Sequence, residues 1–483
     1  MRWKAIFVAT LLVTSISSLR NAEGTLQELP EVADAITVLD KWIEQQVAYR
    51  DLPGLSIAIV HDQEVVWAKG YGYSDREEGI PATPGTVYRI GSITKLFTAT
   101  AVLQLRDQGK LRLDDPVSSY LPWFRLHSSF PNAPEITIRH LLTHTSGLPR
   151  EADIPYWTDH VFPSREQLAA VVVDLDAVYA PETTYHYSNL GMALLGEVVT
   201  QVSGTSWADY VQEKILDPLG MVSSSAAPED GLLRRRATPY MRRSRDGNRG
   251  VFVYYDTGAI APAANMVSTV EDLCRFASLQ FRDGPAGNQQ ILKGSTLREM
   301  QRVHWVYDSF SGGRGLGFYV SRRAGKTFVG HGGWIGGNRT HLVFEPDEKI
   351  AVIAALNADD GIPYLFTQQA YDVVAPAILH AIGSKPEASP PEPDSAWQSY
   401  LGLYSDPWGW ETEVLILGGE LVMYSRDYPP DDDASAGFTR LTPVEGATFR
   451  MPDNELVTFE VDENGQVKRI KRRNDYLFPQ DGD

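Results

Sequence analysis

Ser92 and Lys95 stand three residues apart in Gly91-Ser92-Ile93-Thr94-Lys95, and the run that follows is apolar on nearly every face: Leu96, Phe97, Ala99, Ala101, Val102, Leu103 and Leu105. A helix with no polar face is a buried helix, and Gly109 supplies a stop for it. Ser92 then sits at the helix entrance with Lys95 one turn along the same face. A serine hydroxyl is a weak nucleophile until a base takes its proton, and an ammonium that loses its charge on burial is such a base. The free N–H groups at a helix entrance also suit a developing oxyanion. Taken alone, S-x-x-K is short and common, and a serine N-cap followed by a surface lysine has the same spelling.

Two further stretches carry polar groups into apolar surroundings. Tyr185-His186-Tyr187-Ser188-Asn189 precedes the apolar segment Leu190–Val199, so that Tyr187 and Asn189 stand at the mouth of a second buried helix. A phenol and an amide there either line a cleft or pack. His331-Gly332-Gly333-Trp334 ends a strand-like run, where glycines let backbone approach a ligand closely. His140 and His144, in Arg139-His140-Leu141-Leu142-Thr143-His144-Thr145-Ser146-Gly147-Leu148-Pro149, read as polar ties at the end of a short helix rather than as catalytic groups. Cys274, the single cysteine, shares a helical face with Val270 and Leu273 and reads as a small buried hydrophobe.

The elements that must hold these residues follow from periodicity. Val32, Ile36, Leu39, Ile43 and Val47 predict an amphipathic helix ending before Pro53-Gly54. Leu55–Val60 and Glu64–Ala68 predict a hairpin, which argues against a G-x-S-x-G elbow at Gly54–Ala58. Leu316–Val320, Lys326–Gly330, Thr340–Phe344 and Ile350–Asn357 continue an antiparallel pattern, closed by a helix through Ala370, Val374 and Ile378. The fold class expected is α+β: an antiparallel sheet flanked by helices plus an all-helical region, followed by a small all-β barrel-like domain. That last module is predicted from strand runs at 413–417, 420–424, 448–450, 455–461 and 466–470, with hairpin signals at Gly418-Gly419 and Asn464-Gly465.

The chain has 483 residues and a net charge of −18, from 44 Lys+Arg against 62 Asp+Glu. Such an acidic chain repels nucleic acid and anionic membranes, so neither is expected as a partner. One cysteine excludes an internal disulfide and a cysteine-rich metal site, and no H-e-x-x-H spacing occurs. Met1-Arg2-Trp3-Lys4 followed by Ala5–Val13 reads as a secretory leader, giving an exported (periplasmic or extracellular) protein with no stable membrane anchor after the leader is removed. The expected division is a leader over 1–24, a main domain over 25–384, a proline-rich linker over 385–394 and the all-β module over 395–483. Arg234–Arg236 and Arg242–Arg245 form a basic patch, read as a solvated face that could also attract an anionic substrate.

In order and spacing, Ser92-x-x-Lys95, Tyr187-Ser188-Asn189 and His331-Gly332-Gly333 resemble the serine β-lactamase and penicillin-binding-protein superfamily, in its class C β-lactamase-related branch. The resemblance runs over about residues 30–380. It implies a serine hydrolase with Ser92 acylated and Lys95 and Tyr187 as the proton-transfer network, the Tyr187 pKa being lowered by the neighbouring ammonium. It further implies Asn189, His331, Gly332 and Gly333 at the substrate, an oxyanion hole from the backbone N–H groups of Ser92 and Trp334, and no metal or organic cofactor. Where such lactamases carry Lys-Thr-Gly this chain has His331-Gly332-Gly333, which removes a hydroxyl that helps hold a substrate carboxylate. An ester or peptide amide of a small-molecule or peptide substrate is therefore expected ahead of a β-lactam, with a catalytically silent cell-wall-peptide binding protein as the rival. The terminal module resembles lipocalin-like domains and could mediate self-association.

Overall fold

The computed structural model describes residues 25–126, 130, 132–287, 289–383 and 393–480. The expected leader over 1–24 and residues 385–392 of the expected linker lie outside the described residues. Helix α1 (Pro30–Tyr49) is followed by the hairpin β1 (Gly54–His61) and β2 (Glu64–Asp75), then the short β3 (Ile80–Pro81). A 3₁₀ turn, Gly91–Ile93, leads into α2 (Thr94–Asp107), and the helical side includes α3 (Ile138–Thr143), α4 (Asn189–Ser203) and α5 (Val270–Leu279). The chain returns through β4 (Trp305–Val306), β5 (Gly312–Arg314), β6 (Tyr319–Arg323), β7 (Lys326–Ile335), β8 (Asn338–Glu345) and β9 (Ile350–Leu356), ending on α6 (Pro363–Gly383). These strands form one nine-stranded sheet in the order β3-β2-β1-β9-β8-β7-β6-β5-β4, with antiparallel pairing throughout.

The alternation of side chains along β1 and β9 fixes the layers. Leu55, Ile57, Ile59, Val352 and Ala354 pack with Val32, Leu39 and Trp42 of α1 and Phe366 and Val374 of α6. Ala58, Val60, Ala351 and Ile353 face the other way, into the core around α2 and α5. A strand covered on both faces reads as an unbroken apolar run, and every residue of β9 is buried. In α2, all residues from Thr94 to Leu105 are buried. Its polar members bond within the core, Thr98 Oγ1 donating to Pro262 O at 2.7 Å and Gln104 Nε2 to Lys214 O at 3.0 Å. The predicted helix stop holds: Gly109 takes a left-handed φ of 73°.

One strand begins later than its sequence predicts. Leu316–Phe318 stay out of the ladder because Gly317, at φ 88°, donates its N–H to Leu142 O and lies against Ala99 of α2, where a Cβ would come within 2.7 Å. Leu316 and Phe318 are thereby turned into the core, and β6 starts at Tyr319.

The C-terminal region is a closed eight-stranded antiparallel barrel: β10 (Gly402–Ser405), β11 (Glu411–Leu417), β12 (Glu420–Ser425), β13 (Phe438–Glu445), β14 (Thr448–Arg450), β15 (Leu456–Val461), β16 (Val467–Arg472) and β17 (Asp475–Pro479). Three of these, β10, β13 and β17, were not expected from the sequence. β13 buries only Leu441 and contains Pro443, and β10 and β17 are short strands that join each other to close the barrel. Val414, Leu421, Phe449, Val457, Phe459 and Ile470 fill the interior, as eight strands allow. The barrel docks on α1, in the layer opposite α2. Lys41 pairs with Glu413 at 2.6 Å, Trp42 Nε1 and Gln46 Nε2 both donate to Asp431 O at 2.8 Å, and Ala434 is fully buried in the α1/α6 core.

Candidate active site

Strand β7 passes so close to the Gly91–Ile93 turn that only glycine fits on either side. A Cβ on Gly91 would stand 2.7 Å from Trp334 N, and one on Gly333 would stand 2.0 Å from Ile90 O. Thr340 Oγ1 of β8 donates to Ile90 O at 3.0 Å and ties the turn to the sheet. This contact sets the backbone of Trp334 beside Ser92.

Ser92 Oγ is approached from two sides. Lys95 Nζ donates to it at 3.0 Å and Tyr187 Oη at 3.0 Å. Lys95 is completely buried, and its Nζ also donates to Ala263 O at 2.8 Å. Desolvation drives the Lys95 ammonium well below its ordinary pKa, opposed by Glu151 and assisted by Arg150 and Arg314. Tyr187 behaves differently from what the resemblance implies. Its burial raises the phenol pKa, against the lowering influence of its bond to Ser92 and of Arg314 and Arg150. The network is therefore built around a lysine that tends to be neutral and a tyrosine that keeps its proton.

The Tyr187 ring is held on several sides. His144 stacks on it at 4.4 Å between centroids, while Lys95 Nζ, Arg150 Cζ and Arg314 Cζ lie 5.0, 4.9 and 5.4 Å from its centre. His144 is the left-handed cap of α3, and its Nδ1 accepts the Ser188 N–H at 3.1 Å. The structural reading of both loop histidines agrees with this, since His140 forms a capping box with Thr137. His144 nonetheless positions Tyr187 through its ring.

Asn189 opens α4, and its Nδ2 donates to Glu151 Oε1 at 2.5 Å. Glu151 Oε2 accepts from Tyr156 Oη at 2.8 Å. The sequence reading missed Glu151; its signal would have been its place two residues beyond the Gly147-Leu148-Pro149 stop. His331 is buried, and since a carbonyl only accepts, its 2.6 Å contact to Gly332 O puts the proton on Nδ1. Nε2 then carries a lone pair and has no partner among the described residues. Desolvation together with Arg314 and Lys95 keeps this imidazole neutral, its pKa falling well below the ordinary value. At Gly332, unlike Gly333, an added Cβ would meet nothing closer than 3.8 Å.

All the residues singled out from sequence, Ser92, Lys95, Tyr187, Asn189, His331, Gly332, Gly333 and Trp334, thus converge on one place. They stand on or beneath a cleft of about 930 Å³. Arg242 and Arg243 of the basic patch also line it, so part of that patch faces the cleft rather than open solvent alone. Cys274 is buried in α5, where desolvation raises its thiol pKa and leaves it unreactive.

The model of the family described as Beta-lactamase matches residues 39–375. The chain belongs to the beta-lactamase family. Among curated proteins, Beta-lactamase-like protein 2 of Dictyostelium discoideum is 30% identical over 383 residues, covering 76% of this chain and 68% of that protein. Protein flp of Staphylococcus aureus is 29% identical over 313 residues, covering 64% of this chain and 58% of that protein. The octameric penicillin-binding protein homologue from Pyrococcus abyssi superposes with a TM-score of 0.63 at 26% identity, covering 92% of this chain and 99% of that one. The D-stereospecific amidohydrolase from Streptomyces sp. does so with a TM-score of 0.56 at 26% identity, covering 69% and 97%. Family membership accounts for the α+β fold with its sheet and helical side, and identifies the chain with a group that includes hydrolases and penicillin-binding proteins.

Proposed function

We propose that this beta-lactamase family member is a serine hydrolase that forms an acyl-enzyme at Ser92 and cleaves an ester or peptide amide of a small substrate. The observation that carries the reading is the pair of 3.0 Å contacts to Ser92 Oγ from a buried Lys95 and from Tyr187. Neutral Lys95 Nζ takes the Ser92 proton as Oγ bonds to the carbonyl carbon. The backbone N–H groups of Ser92 and Trp334 receive the charge on the carbonyl oxygen, each such donor being worth roughly 3–4 kcal/mol of barrier. The bond to the leaving oxygen or nitrogen then breaks, and that atom departs with a proton relayed through Lys95 and Tyr187. Water repeats the attack on the Ser92 ester, which releases the acid and restores the hydroxyl. Asn189 and the His331–Gly333 strand hold the substrate, and none of these steps calls on a metal or cofactor.

Gly332 ranks esters and amides above β-lactams, because the position offers no hydroxyl to a substrate carboxylate. The likeness to a D-stereospecific amidohydrolase supports amides as well as esters. The apolar leader over 5–13 supports action outside the cytoplasm. The experiment is burst kinetics with short p-nitrophenyl esters and nitrocefin in parallel, on wild type and Ser92→Ala. A Ser92-dependent burst with ester turnover and negligible nitrocefin turnover is expected. Equal reactivity of folded Ser92→Ala would remove the assignment, saturable binding of a cell-wall peptide without turnover would replace it by a binding role, and fast nitrocefin turnover would make the protein a β-lactamase.

A further inference from the structure

Arg314, on β5, is fully buried, yet no carboxylate stands within ion-pair distance of it among the described residues. Its Nη2 donates to Tyr185 Oη at 2.6 Å, while Nε and Nη1 have no hydrogen-bond partner there. Its guanidinium carbon instead lies 3.4 Å from the centre of the Tyr319 ring, 4.8 Å from that of Tyr185 and 5.4 Å from that of Tyr187. A guanidinium is charged at every accessible pH, and burying one without a counter-charge is strongly unfavourable. Such a residue persists where its charge has a use.

We propose that Arg314 is a positioning residue for the Ser92 reaction: a permanent buried cation that packs the Tyr185–Tyr187–Tyr319 wall and disfavours a second positive charge at Lys95, holding that amine ready as a base. The inference rests on the proposed function, since it assigns Lys95 that task. The geometry supports it because the two cations share the Tyr187 ring, Lys95 Nζ lying 5.0 Å from its centre. Both are buried, so mobile ions screen them little. The other groups around Lys95 are Glu151, which favours its charge, Arg150, which disfavours it but is largely exposed, and His144 and His331, which are themselves held neutral. Arg314 lowers Lys95, His144 and His331 alike and lowers Tyr187. It is the one cation common to the whole set that cannot lose its proton.

The test compares wild type, Arg314→Met and, should that variant not fold, Arg314→Gln, each with and without Lys95→Met. The first readout needs no catalysis. Stability is measured against pH, and the difference between each protein and its Lys95→Met partner reports proton uptake by Lys95. Because the unfolded lysine binds its proton at higher pH than the folded one, this difference changes through the interval between the two pKa values and flattens below the folded value. Loss of Arg314 is expected to move the flattening point up by about one pH unit. The second readout is fluorophosphonate labelling of Ser92, whose acid limb should move up by the same amount. An unmoved flattening point would overturn the inference, whatever the labelling does. A moved flattening point in a protein whose Ser92 never labels would uphold it and overturn the proposed function.

Discussion

Glu151 shows what a single carboxylate does at this site. It accepts from Asn189 Nδ2 and Tyr156 Oη, and among the described residues it is the charged neighbour of Lys95 that favours the ammonium. Glu151→Gln removes that charge, so the Lys95 pKa falls further and the acid limb of ester hydrolysis moves to lower pH, opposite in sign to the loss of Arg314. The new amide keeps one acceptor oxygen where the carboxylate had two, so either Asn189 Nδ2 or Tyr156 Oη loses its acceptor, and the looser hold on Asn189 should raise KM by up to about tenfold, the equivalent of one lost hydrogen bond, with smaller change in kcat. A pH series of kcat and KM, each measured on one p-nitrophenyl ester, checks both; an acid limb of kcat/KM that stays put would show that Glu151 does not couple to Lys95. Ser92, Lys95 and Tyr187 were legible in the sequence through the order and spacing of three motifs along the chain, each of them weak when taken alone. Glu151 and Arg314 were not. Each is one of many charged residues in an acidic chain, and the rings that make Arg314 distinctive come from residues 185, 187 and 319, which only the fold assembles.

The sheet-to-turn contact sets the geometry of the reaction, and two adjacent glycines in β7 respond to it differently. Gly333→Ala drives a Cβ to within 2.0 Å of Ile90 O and 2.2 Å of Thr340 Oγ1. Backbone must shift, moving Trp334 N away from Ser92, and activity is expected to fall about 100-fold or more, as when one oxyanion donor is removed. Gly332→Thr puts its Cβ at ordinary van der Waals distance, 3.8 Å from Thr340 O and 3.9 Å from the His341 ring. It should fold normally and acylate nitrocefin faster, by about tenfold, if a hydroxyl there is what a β-lactam carboxylate lacks. Melting curves and labelling rates for the two variants separate steric from chemical effects; a Gly333→Ala variant as active as wild type would show that the oxyanion site lies elsewhere. At this scale the sequence was also informative where apolar periodicity is strong, as in α1, α2 and β9. It misplaced the start of β6, since the core takes up Leu316 and Phe318 through a left-handed Gly317 that no periodicity reveals.

Across the whole molecule, the barrel and the catalytic layer are on opposite sides of the sheet. The barrel meets α1 through Lys41, Trp42 and Gln46 and inserts Ala434 between α1 and α6. Removing residues 395–483 would uncover Trp42 and the apolar seam around Ala434, so the shortened protein should melt at lower temperature and associate more readily. Ser92 should still label at close to the wild-type rate, because none of its named contacts comes from the barrel. Loss of labelling in a truncated protein that remains folded would show that the barrel shapes the site. The barrel's existence was readable from its hairpin glycines, but its closure was not: β10 and β17 are short, and they become strands by pairing with each other. The docking loop carries no sequence pattern at all, since Ala434 is buried only by what it meets.

The pairing of β1 with β9 has a consequence in time as well as in space. Leu55 finds its partner at Leu356, and Gly91, next to Ser92, meets Trp334, so each contact joins segments made near the beginning and near the end of the domain. During synthesis the apolar edge of the β1–β2 hairpin must wait for most of the chain to emerge, a long-range closure that makes such sheets slow to form. A partly made chain has its serine and its lysine but no strand to complete them. Reactivity at Ser92 therefore arrives all at once and late, after residue 356 is free to pair, and ribosome-arrested chains that stop short of it should be inert toward the same probes that label the finished protein.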